Sequence, residues 1–492
     1  MLGARRGTRT AEPPAKLLVT DPARTAAVVL GAGSGSRFGG GKLLAELNGR
    51  PLLDHVLATI REAEPAETIV VVGPAATALE AIIAANGART VPNPAPEEGL
   101  SSSVRIGLAA LAAVRVEEID AALIVLGDQP RTSLATIEAL LAAEVPEGRS
   151  IVVPRYRGGG GSNPVLILRS AWALVGELQG DRGFGPLIKE HPELIVEVDL
   201  PGDNPDVDTA ADLVRVVETA WRERVLANRA QVERFREVPD GIDFYAPVRS
   251  LFRADPTRTD DPVLAALLDL VDPGETWLDV GAGAGRFALP LARALGPSGG
   301  EVVALDASPS MLQALHEIAD DHAIRNIRTV EARWPPSDPA IARSCAADVV
   351  LIAHVGYDVD SIGPFLDALV AAARRCCVAV LMDRVPASAA DPFWPLVHGE
   401  DRVALPALAD VVELLRARRR EVGLTRIREE ARRFDSRASL EGFARRQLWI
   451  DPDGPKEVRF QAALDALVIE ESGGWAISGR LPNDIGVVTW QP

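Results

Sequence analysis

A glycine-rich loop near the start of the chain carries residue types suited to chemistry on a charged ligand. The run AAVVLGAGSGSRFGGGK covers residues 26–42, contains Arg37 and ends on Lys42. Glycines let a backbone approach a ligand and turn successive N–H groups towards it, while arginine and lysine supply positive charge. This combination suits a polyphosphate. The residues expected to present the backbone to it are Gly31, Ala32, Gly33 and Gly35.

Aspartates form the second set of candidate residues, and their oxygen atoms are ligands that Mg²⁺ prefers. Asp128 follows the apolar run ALIVL in the segment GDQP. Asp206 and Asp208 lie in the segment DVDT, and of these two we prefer Asp208 as a metal ligand. The sequence therefore predicts a metal site at Asp128 and Asp208, and a catalytic group of Arg37, Lys42 and Asp128.

A second glycine loop, VGAGAG, opens a similar unit in the other half of the chain. Asp279 lies two residues before the first loop glycine, and a later apolar run, VVALD, ends on Asp306. The loop glycines are Gly281, Gly283 and Gly285. Glycine loops alone are a weak signal, because several nucleotide-binding folds use them. The spacing of the two acids is what makes this loop a candidate cofactor site.

Both loops need rigid elements to position them, and the hydrophobic pattern predicts these elements. Short apolar runs typical of buried parallel strands alternate with helical periodicity in the first half of the chain. The predicted strands are 26–30, 67–73, 122–126, 150–153, 164–168 and 195–200. This alternation predicts a parallel three-layer sheet whose ligands bind at the carboxyl ends of the strands. The first glycine loop and Asp128 both follow such ends.

The second half repeats the alternation with a different motif. From Thr276 the chain reads as strand, glycine loop and helix, and later strands are predicted at 347–355, 377–383 and 484–490. We therefore predict two three-layer α/β/α Rossmann-like domains, rather than one large domain with an insertion. The expected organisation is a disordered lead-in at 1–24, a first domain at 25–221, a linker at 222–260 and a second domain at 261–492.

Composition narrows the class of protein. The net charge of −17 argues against a general binder of nucleic acid or anionic membranes, which needs cationic surface. No run approaches the ~20 apolar residues of a membrane span, and no apolar segment follows Arg5 and Arg6 as an export signal requires. The three cysteines show no framework spacing. We expect a cytoplasmic protein that acts on small molecules.

Two familiar phosphate-binding patterns fail on the first loop. A P-loop needs glycine at position 36, where this chain has Ser36, and it needs serine or threonine at position 43, where this chain has Leu43. A dinucleotide-binding pattern that begins at Gly31 also needs glycine at position 36. The loop instead reads as G-x-G-x-G-x-R-x-G-x-x-K.

This loop, the GDQP segment and the DVDT segment together resemble the MobA-like NTP transferase family over residues 26–213. The stretches RFGGGKLL, GLSSSVRIGL and GDQP resemble the molybdenum cofactor cytidylyltransferase branch of that family. Two positions depart from the family pattern. Ala210 stands where proline usually follows D-x-D-T, and Asn163 stands where histidine is common before Pro164. Both departures concern the second substrate more than the nucleotide.

The resemblance implies Mg²⁺-dependent transfer of CMP from CTP, or from another NTP, to a phosphorylated acceptor, with release of pyrophosphate. Molybdopterin, a phosphorylated pterin, is the expected acceptor, and a molybdoenzyme that receives the cofactor is a further candidate partner. A sugar, alditol or lactyl phosphate is the alternative acceptor. Arg37 and Lys42 suit such a reaction, because they would neutralise charge on the α-phosphate and the leaving pyrophosphate. Removing one such group typically costs ~3 kcal/mol.

The second loop resembles motif I of class I S-adenosylmethionine-dependent methyltransferases, and NAD binding is the alternative. This resemblance implies a seven-stranded methyltransferase sheet, whereas the first implies a nucleotide-diphospho-sugar-transferase-like fold. The methyltransferase resemblance implies that Asp279 lies near the methionine amino group of S-adenosylmethionine and that Asp306 accepts hydrogen bonds from both ribose hydroxyls. The methyl acceptor cannot be inferred. The domain is either a methyltransferase or a non-catalytic module that binds S-adenosylmethionine or docks the first domain.

Several other residues keep two interpretations. His354, near the end of the predicted strand ADVVLIAHV, is either a general base or a structural histidine. The segments FWP at 393–395 and HGE at 398–400 either cover the acceptor or simply pack. Ser101 to Ser103 cap a helix and also suit a pocket for an anion. The arginines near 416–420 are either the solvated end of a helix or a patch for an anionic substrate.

Overall fold

A computed structural model describes residues 17–33, 35–47, 49–74, 76–114, 118–159, 161–181, 183–238, 254–429, 433–479, 481 and 483–492. The chain divides into two compact units, Met1–Val216 and Val217–Pro492. Residues 1–16 of the expected lead-in and residues 239–253 of the expected linker lie outside the described residues. In the described ranges, no helix is both long and apolar enough to cross a membrane.

The first unit is built on a seven-stranded sheet. Its strands and short ribbons are β1 (Leu17–Leu18), β2 (Thr25–Gly31), β3 (Glu46–Leu47), β4 (Arg50–Pro51), β5 (Glu67–Val72), β6 (Arg89–Pro92), β7 (Ala121–Leu126), β8 (Val145–Pro146), β9 (Ile151–Tyr156), β10 (Val165–Leu168) and β11 (Ile195–Leu200). The sheet order is β11-β9-β10-β7-β2-β5-β6. Strand β10 is antiparallel to both of its neighbours, and the other pairs are parallel.

Strand β2 shows why this sheet is covered on both faces. Successive side chains of a strand point to opposite faces, so a strand that is apolar throughout needs packing on both. Val28 belongs to one core cluster with Leu108 of the third helix, and Val29 belongs to another with Val56 of the first. All residues from Ala26 to Val29 are fully buried. The sheet is therefore the middle of three layers, as predicted, although the antiparallel β10 makes it a mixed sheet instead of a wholly parallel one.

The helices of this unit are α1 (Leu52–Glu62), α2 (Thr77–Ala85), α3 (Leu100–Val114), α4 (Leu134–Leu141), α5 (Gly185–Glu190) and α6 (Ala210–Phe235). Helix α3 packs closely against β2. A Cβ atom at Gly107 would collide with the Val28 side chain, so only glycine permits this approach. The division between the two units falls within α6. Residues 222–235 of the expected linker continue that helix, and Leu17–Leu18 of the expected lead-in pair with β8.

The second unit is built on another seven-stranded sheet. Its strands are β12 (Thr276–Val280), β13 (Glu301–Asp306), β14 (Ile327–Glu331), β15 (Ala347–Ala353), β16 (Ala373–Met382), β17 (Gly423–Ile427), β18 (Val468–Glu471), β19 (Gly474–Ile477) and β20 (Ile485–Trp490). The order is β14-β13-β12-β15-β16-β20-β17, while β18 and β19 form a separate hairpin. Strand β20 runs antiparallel to β16 and β17. The prediction of two α/β domains, the second with a seven-stranded sheet, is confirmed.

The helices of the second unit are α7 (Pro262–Leu268), α8 (Ala288–Leu295), α9 (Pro309–Asp321), α10 (Pro339–Ser344), α11 (Ile362–Ala372), α12 (Trp394–His398), α13 (Leu408–Ala417), α14 (Arg437–Gln447) and α15 (Glu457–Leu467). Helices α12, α14 and α15 share an apolar core of their own, which includes Phe393, Trp394 and Phe460. Most of this core comes from two separate insertions, one after β16 and one between β17 and β20, and Val232 of α6 also contributes to it. The sequence analysis did not anticipate it.

Candidate functional sites

The first glycine loop folds tightly at the carboxyl end of β2. Gly31 leaves little room for a side chain, because a Cβ atom would lie 3.2 Å from Leu43 Cδ1 and 3.4 Å from the Val71 carbonyl. Gly35 adopts a left-handed backbone with φ of 59°, and its carbonyl accepts N–H groups from Phe38, Gly39 and Gly40 at 3.0–3.1 Å. A turn of this kind favours glycine. Around Gly33 a Cβ atom would meet no atom within 4 Å, so this part of the loop is open to a ligand.

The structure brings Lys42 between two of the predicted carboxylates. Lys42 Nζ lies 2.5 Å from Asp128 Oδ2 and 3.0 Å from Asp208 Oδ1. The Lys42 side chain is only 12% exposed, whereas that of Asp208 is 48% exposed. Two backbone hydrogen bonds hold the segments together: Gly127 N–H donates to the Leu30 carbonyl, and Val207 N–H donates to the Asp128 carbonyl. Residues far apart in the chain thus meet beside the glycine loop.

Asp206, the alternative metal ligand, turns towards a buried amide network instead. Gln129 Nε2 donates to Asp206 Oδ1 at 2.7 Å, and Asn204 Nδ2 donates to Gln129 Oε1 at 3.2 Å. Burial, together with the nearby Asp128 charge, raises the pKa of Asp206. Gln129 is 1% exposed, so it holds Asp206 from inside the protein. The sequence analysis noted Gln129 only as part of the GDQP motif.

Arg37 does not join this cluster. Its side chain is exposed on the glycine loop, and across the described residues the structure shows no ion pair that links it to Asp128 or Asp208. An exposed guanidinium beside an open loop can bind a phosphate without first breaking an ion pair to a carboxylate. Of the two predicted catalytic cations, one is therefore paired and one is exposed.

The carboxylates fit a hard divalent cation. Asp128 Oδ1 is buried and has no hydrogen-bond partner among the described residues, so one oxygen at the site is unused. In the described ranges no three histidine, cysteine or acidic side chains are grouped as a complete metal site. Mg²⁺ usually takes one or two carboxylates and completes its shell with water and substrate phosphates. Asp128 and Asp208 match that pattern.

The serines after β6 do not precede the helix as the cap prediction implied. Helix α3 begins at Leu100, so the serines form its first turn. Ser102 Oγ donates to the Gly99 carbonyl at 2.8 Å and accepts a hydrogen bond from Asn93 Nδ2 at 2.8 Å. Ser101 Oγ is buried and lacks a hydrogen-bond partner among the described residues. Ser102 therefore bonds to Asn93 and to a carbonyl of the preceding loop instead of capping the helix.

The second glycine loop lies between β12 and α8 and is held by the neighbouring strand. Gly281 N–H donates to the Leu305 carbonyl at 2.7 Å, and Gly283 N–H donates to Asp306 Oδ2 at 2.8 Å. Gly281, Gly283 and Gly285 all have positive φ. A Cβ atom on Gly281 would collide with the Val355 side chain. The loop thus has a fixed shape, with Asp306 supporting it from the end of β13.

Asp279 is a buried carboxylic acid of this unit whose pKa is strongly raised. Its side chain lies within β12 and is 3% exposed, and its Oδ1 atom has no hydrogen-bond partner in the described ranges. Burial, reinforced by the Asp306 charge, raises the pKa of Asp279 to about 7, while the Ala288 N–H opposes this shift. A buried acid beside a glycine loop is poised to ionise when a cation approaches it.

His354 follows β15 in a left-handed backbone conformation with φ of 57°. Its Nδ1 atom lies 3.5 Å from the Tyr357 hydroxyl, which accepts the Met382 N–H at 2.9 Å. Burial, with a smaller contribution from Arg286, lowers the pKa of His354 to about 4. The imidazole is therefore neutral at pH 7. Both interpretations of His354, as base or as structural residue, stay open.

Three side chains from the other segments with two interpretations are packed or paired. Phe393 and Trp394 are fully buried in the core around α12, so their side chains are not a cover for a ligand. Arg418 pairs with Glu218 at 2.6 Å and with Asp367 at 2.7 Å, so it is not an unpaired patch at the end of α13.

Fold and sites define a two-unit α/β protein of the transferase type, with one glycine-loop site in each unit. Residues 27–195 match the family model described as "MobA-like NTP transferase domain", and residues 278–376 match the one described as "Methyltransferase domain". The chain therefore contains a MobA-like nucleotidyltransferase domain followed by a methyltransferase domain. Both resemblances inferred from the sequence are confirmed at the level of the family.

Individual relatives cover parts of the chain. The bifunctional protein GlmU of Thermobifida fusca is 29% identical over 285 residues, which is 54% of this chain and 57% of that protein. The GlmU protein of Streptomyces griseus is 38% identical over 138 residues, 27% of each chain. The chain thus spans between about a quarter and about half of the curated relatives it matches. The solved structure of Rv0371c from Mycobacterium tuberculosis H37Rv is 29% identical and has a TM-score of 0.35, covering 40% of this chain and 98% of that one.

Proposed function

We propose that the first domain is a Mg²⁺-dependent nucleotidyltransferase that transfers CMP from CTP to a phosphorylated acceptor. The observation that carries the proposal is the convergence of Lys42, Asp128 and Asp208 beside the glycine loop. A cation, two carboxylates and backbone N–H groups that meet at the carboxyl ends of neighbouring strands suit a nucleoside triphosphate and its metal. The choice of CTP, and of molybdopterin as the acceptor, rests on the RFGGGKLL, GLSSSVRIGL and GDQP stretches.

In the reaction, an acceptor phosphate oxygen forms a bond to the α-phosphorus of CTP, and the bond from that phosphorus to the bridging oxygen breaks. Pyrophosphate leaves with the electron pair of that bond. Arg37 and the loop N–H groups hold the phosphates in line, and Lys42 offsets the charge that develops on them. Asp128 and Asp208 would hold Mg²⁺, which supplies Lewis-acid stabilisation of the leaving pyrophosphate when bound.

The test is pyrophosphate release from the full chain with each NTP in turn and with molybdopterin as the acceptor. We expect release with CTP, and a loss of about 100-fold or more in Asp128→Asn. Asp120→Asn is the matched control, because Asp120 precedes the same strand, is 60% exposed and pairs with Arg24 instead. Equal activity of the two variants would contradict the proposed site. Turnover with a sugar, alditol or lactyl phosphate but not with molybdopterin would select the alternative acceptor.

For the second domain we propose S-adenosylmethionine-dependent methyl transfer to an acceptor of unknown identity. Support comes from the glycine loop held by Asp306, with the buried Asp279 two residues before its first glycine. Methyl transfer from a sulfonium needs mainly positioning, so a neutral His354 at the strand end is compatible with it. The alternative is a domain that binds S-adenosylmethionine without transferring the methyl group, or that only docks the first domain. We place both reactions in the cytoplasm.

Calorimetry distinguishes the catalytic, binding and docking roles proposed for the second domain. Titration of S-adenosylmethionine into the full chain should show binding at one site per chain. Absence of binding would exclude the methyltransferase proposal and leave the docking role. Binding without methyl transfer to any cell-extract acceptor would favour the non-catalytic role.

A further inference from the structure

The position of the Lys42 ammonium is unexpected for a group that is to bind phosphate. Lys42 Nζ contacts one oxygen of Asp128 and one of Asp208, at 2.5 and 3.0 Å. Those are the two side chains that fit a divalent cation. An ammonium and a metal ion held by the same two carboxylates repel each other strongly at such short range. Lys42 therefore lies where the metal would be expected to bind.

The backbone around Lys42 is held by local contacts, whereas a lysine side chain is long and has several rotatable bonds. Gly41 adopts a left-handed conformation with φ of 63°, and Leu44 N–H donates to the Gly41 carbonyl at 2.9 Å. A Cβ atom on Gly35 would lie 3.2 Å from Lys42 Cβ, so the loop covers the root of the lysine. Three methylene groups, Cγ, Cδ and Cε, separate the Lys42 Cβ atom from the ammonium nitrogen. The charge can therefore move between carboxylates and loop without any change in the backbone.

The local charge count favours keeping a cation at this position. Asp128, Asp206 and Asp208 lie together, and Lys42 is the cation that contacts two of them. Arg37, the other predicted phosphate-binding cation, is exposed on the loop. Without Lys42, the two carboxylates would face each other with no positive charge between them, which is costly in a partly buried site.

We infer that Lys42 is the resident cation of this site in the nucleotide-free protein and excludes divalent metal until nucleotide phosphates draw the ammonium away. The inference rests on the proposed nucleotidyltransferase function, whose metal ligands are the same carboxylates. It assigns to Lys42 a role in binding order besides the stabilisation of phosphate charge. Metal then enters together with the nucleotide and binds poorly before it.

The test is a titration of the full chain with Mn²⁺ alone, with free Mn²⁺ measured by electron paramagnetic resonance at low ionic strength. Lys42→Met keeps the length of the side chain and removes its charge. We expect it to bind Mn²⁺ at least tenfold more tightly than the wild type. Lys189→Met, which removes an exposed lysine of the same unit, should leave the affinity unchanged. The double variant Lys42→Met/Asp128→Asn should lose the gain, because the tighter site needs that carboxylate.

Mn²⁺ affinity in Lys42→Met that equals or falls below that of the wild type would overturn the inference, since it would mean that the ammonium organises the carboxylates for the metal. A thermal melt checks that the variant is folded, and Lys42→Ala repeats the measurement with a shorter uncharged side chain. The titration contains neither nucleotide nor acceptor. Failure of CMP transfer would thus reject the proposed function while leaving this result to be judged by itself.

Discussion

Replacing Asp279 by asparagine should stabilise the second unit at pH 8 much more than at pH 5. The Asp279 carboxyl lies within β12 and is 3% exposed, and burial raises its pKa from an ordinary value of 3.8 to about 7. Between these two values the folded chain holds a proton that the unfolded chain has lost. The Asp279 carboxyl therefore lowers the free energy of unfolding by a growing amount as the pH rises from 3.8 to 7, and this loss is constant above pH 7.

The size of the effect follows from this shift. Each unit of pKa difference corresponds to about 1.4 kcal/mol, so ionisation of Asp279 costs up to about 4 kcal/mol at pH 8 and about 1.6 kcal/mol at pH 5. An asparagine avoids the charge but leaves its own buried amide poorly paired, at about 1–3 kcal/mol at either pH. The variant should thus gain about 2–3 kcal/mol more at pH 8 than at pH 5.

A thiol-labelling assay can follow this unit by itself. The three cysteines of the chain all lie in the second unit, and Cys345 and Cys377 are fully buried. The two buried thiols become reactive when that unit unfolds. Their labelling by an aromatic disulfide reagent that works at pH 5 and pH 8 is measured as a function of urea concentration. The assay avoids treating a two-unit chain as a single two-state transition.

Asp348 supplies the control with the opposite sign. The Thr276 N–H and the Arg374 guanidinium lower the pKa of this carboxyl, so it stabilises the folded chain above its unfolded pKa. Asp348→Asn should therefore destabilise the unit equally at pH 5 and pH 8. If Asp279→Asn also changed stability equally at both pH values, Asp279 would be in one protonation state across this range and the reasoning would be refuted.

Two further predictions concern the second glycine loop. Asp306→Ala removes the carboxylate that accepts the Gly283 N–H, so its S-adenosylmethionine affinity should fall about 30-fold or more by calorimetry, and an unchanged affinity would contradict the assigned site. Gly281→Ala should destabilise the second unit by about 2–4 kcal/mol in the thiol assay. The alanine would be strained by the left-handed backbone at this position, and its Cβ atom would collide with the Val355 side chain. Gly274→Ala, with a similar φ but no atom nearer than 3.6 Å, should cost only about 1 kcal/mol, and equal losses would rule out the collision.

Much of the fold could be predicted because its strands are apolar throughout. The runs that became β2, β5 and β7 are recognisable from a few neighbouring residues, and their observed bounds differ from the predicted ones by a residue or so. Strand β17 was missed, because its sequence GLTRI is short and most of it is exposed. The separate core of α12, α14 and α15 was missed as well, since its apolar residues come from two insertions and from α6, which only folding brings together.

The sequence alone determined which residues could act: glycines, cations and acids at the ends of apolar runs. Local composition encodes such features, because a loop after a strand depends mainly on its own residues. Tertiary structure decided which of them meet. Lys42 reaches Asp128 and Asp208, 86 and 166 residues away, because β2 and β7 are neighbours in the sheet and Val207 pairs with the Asp128 backbone. The depth of Asp279, and hence its protonation, was likewise set by the layers packed around β12, which no local pattern specifies.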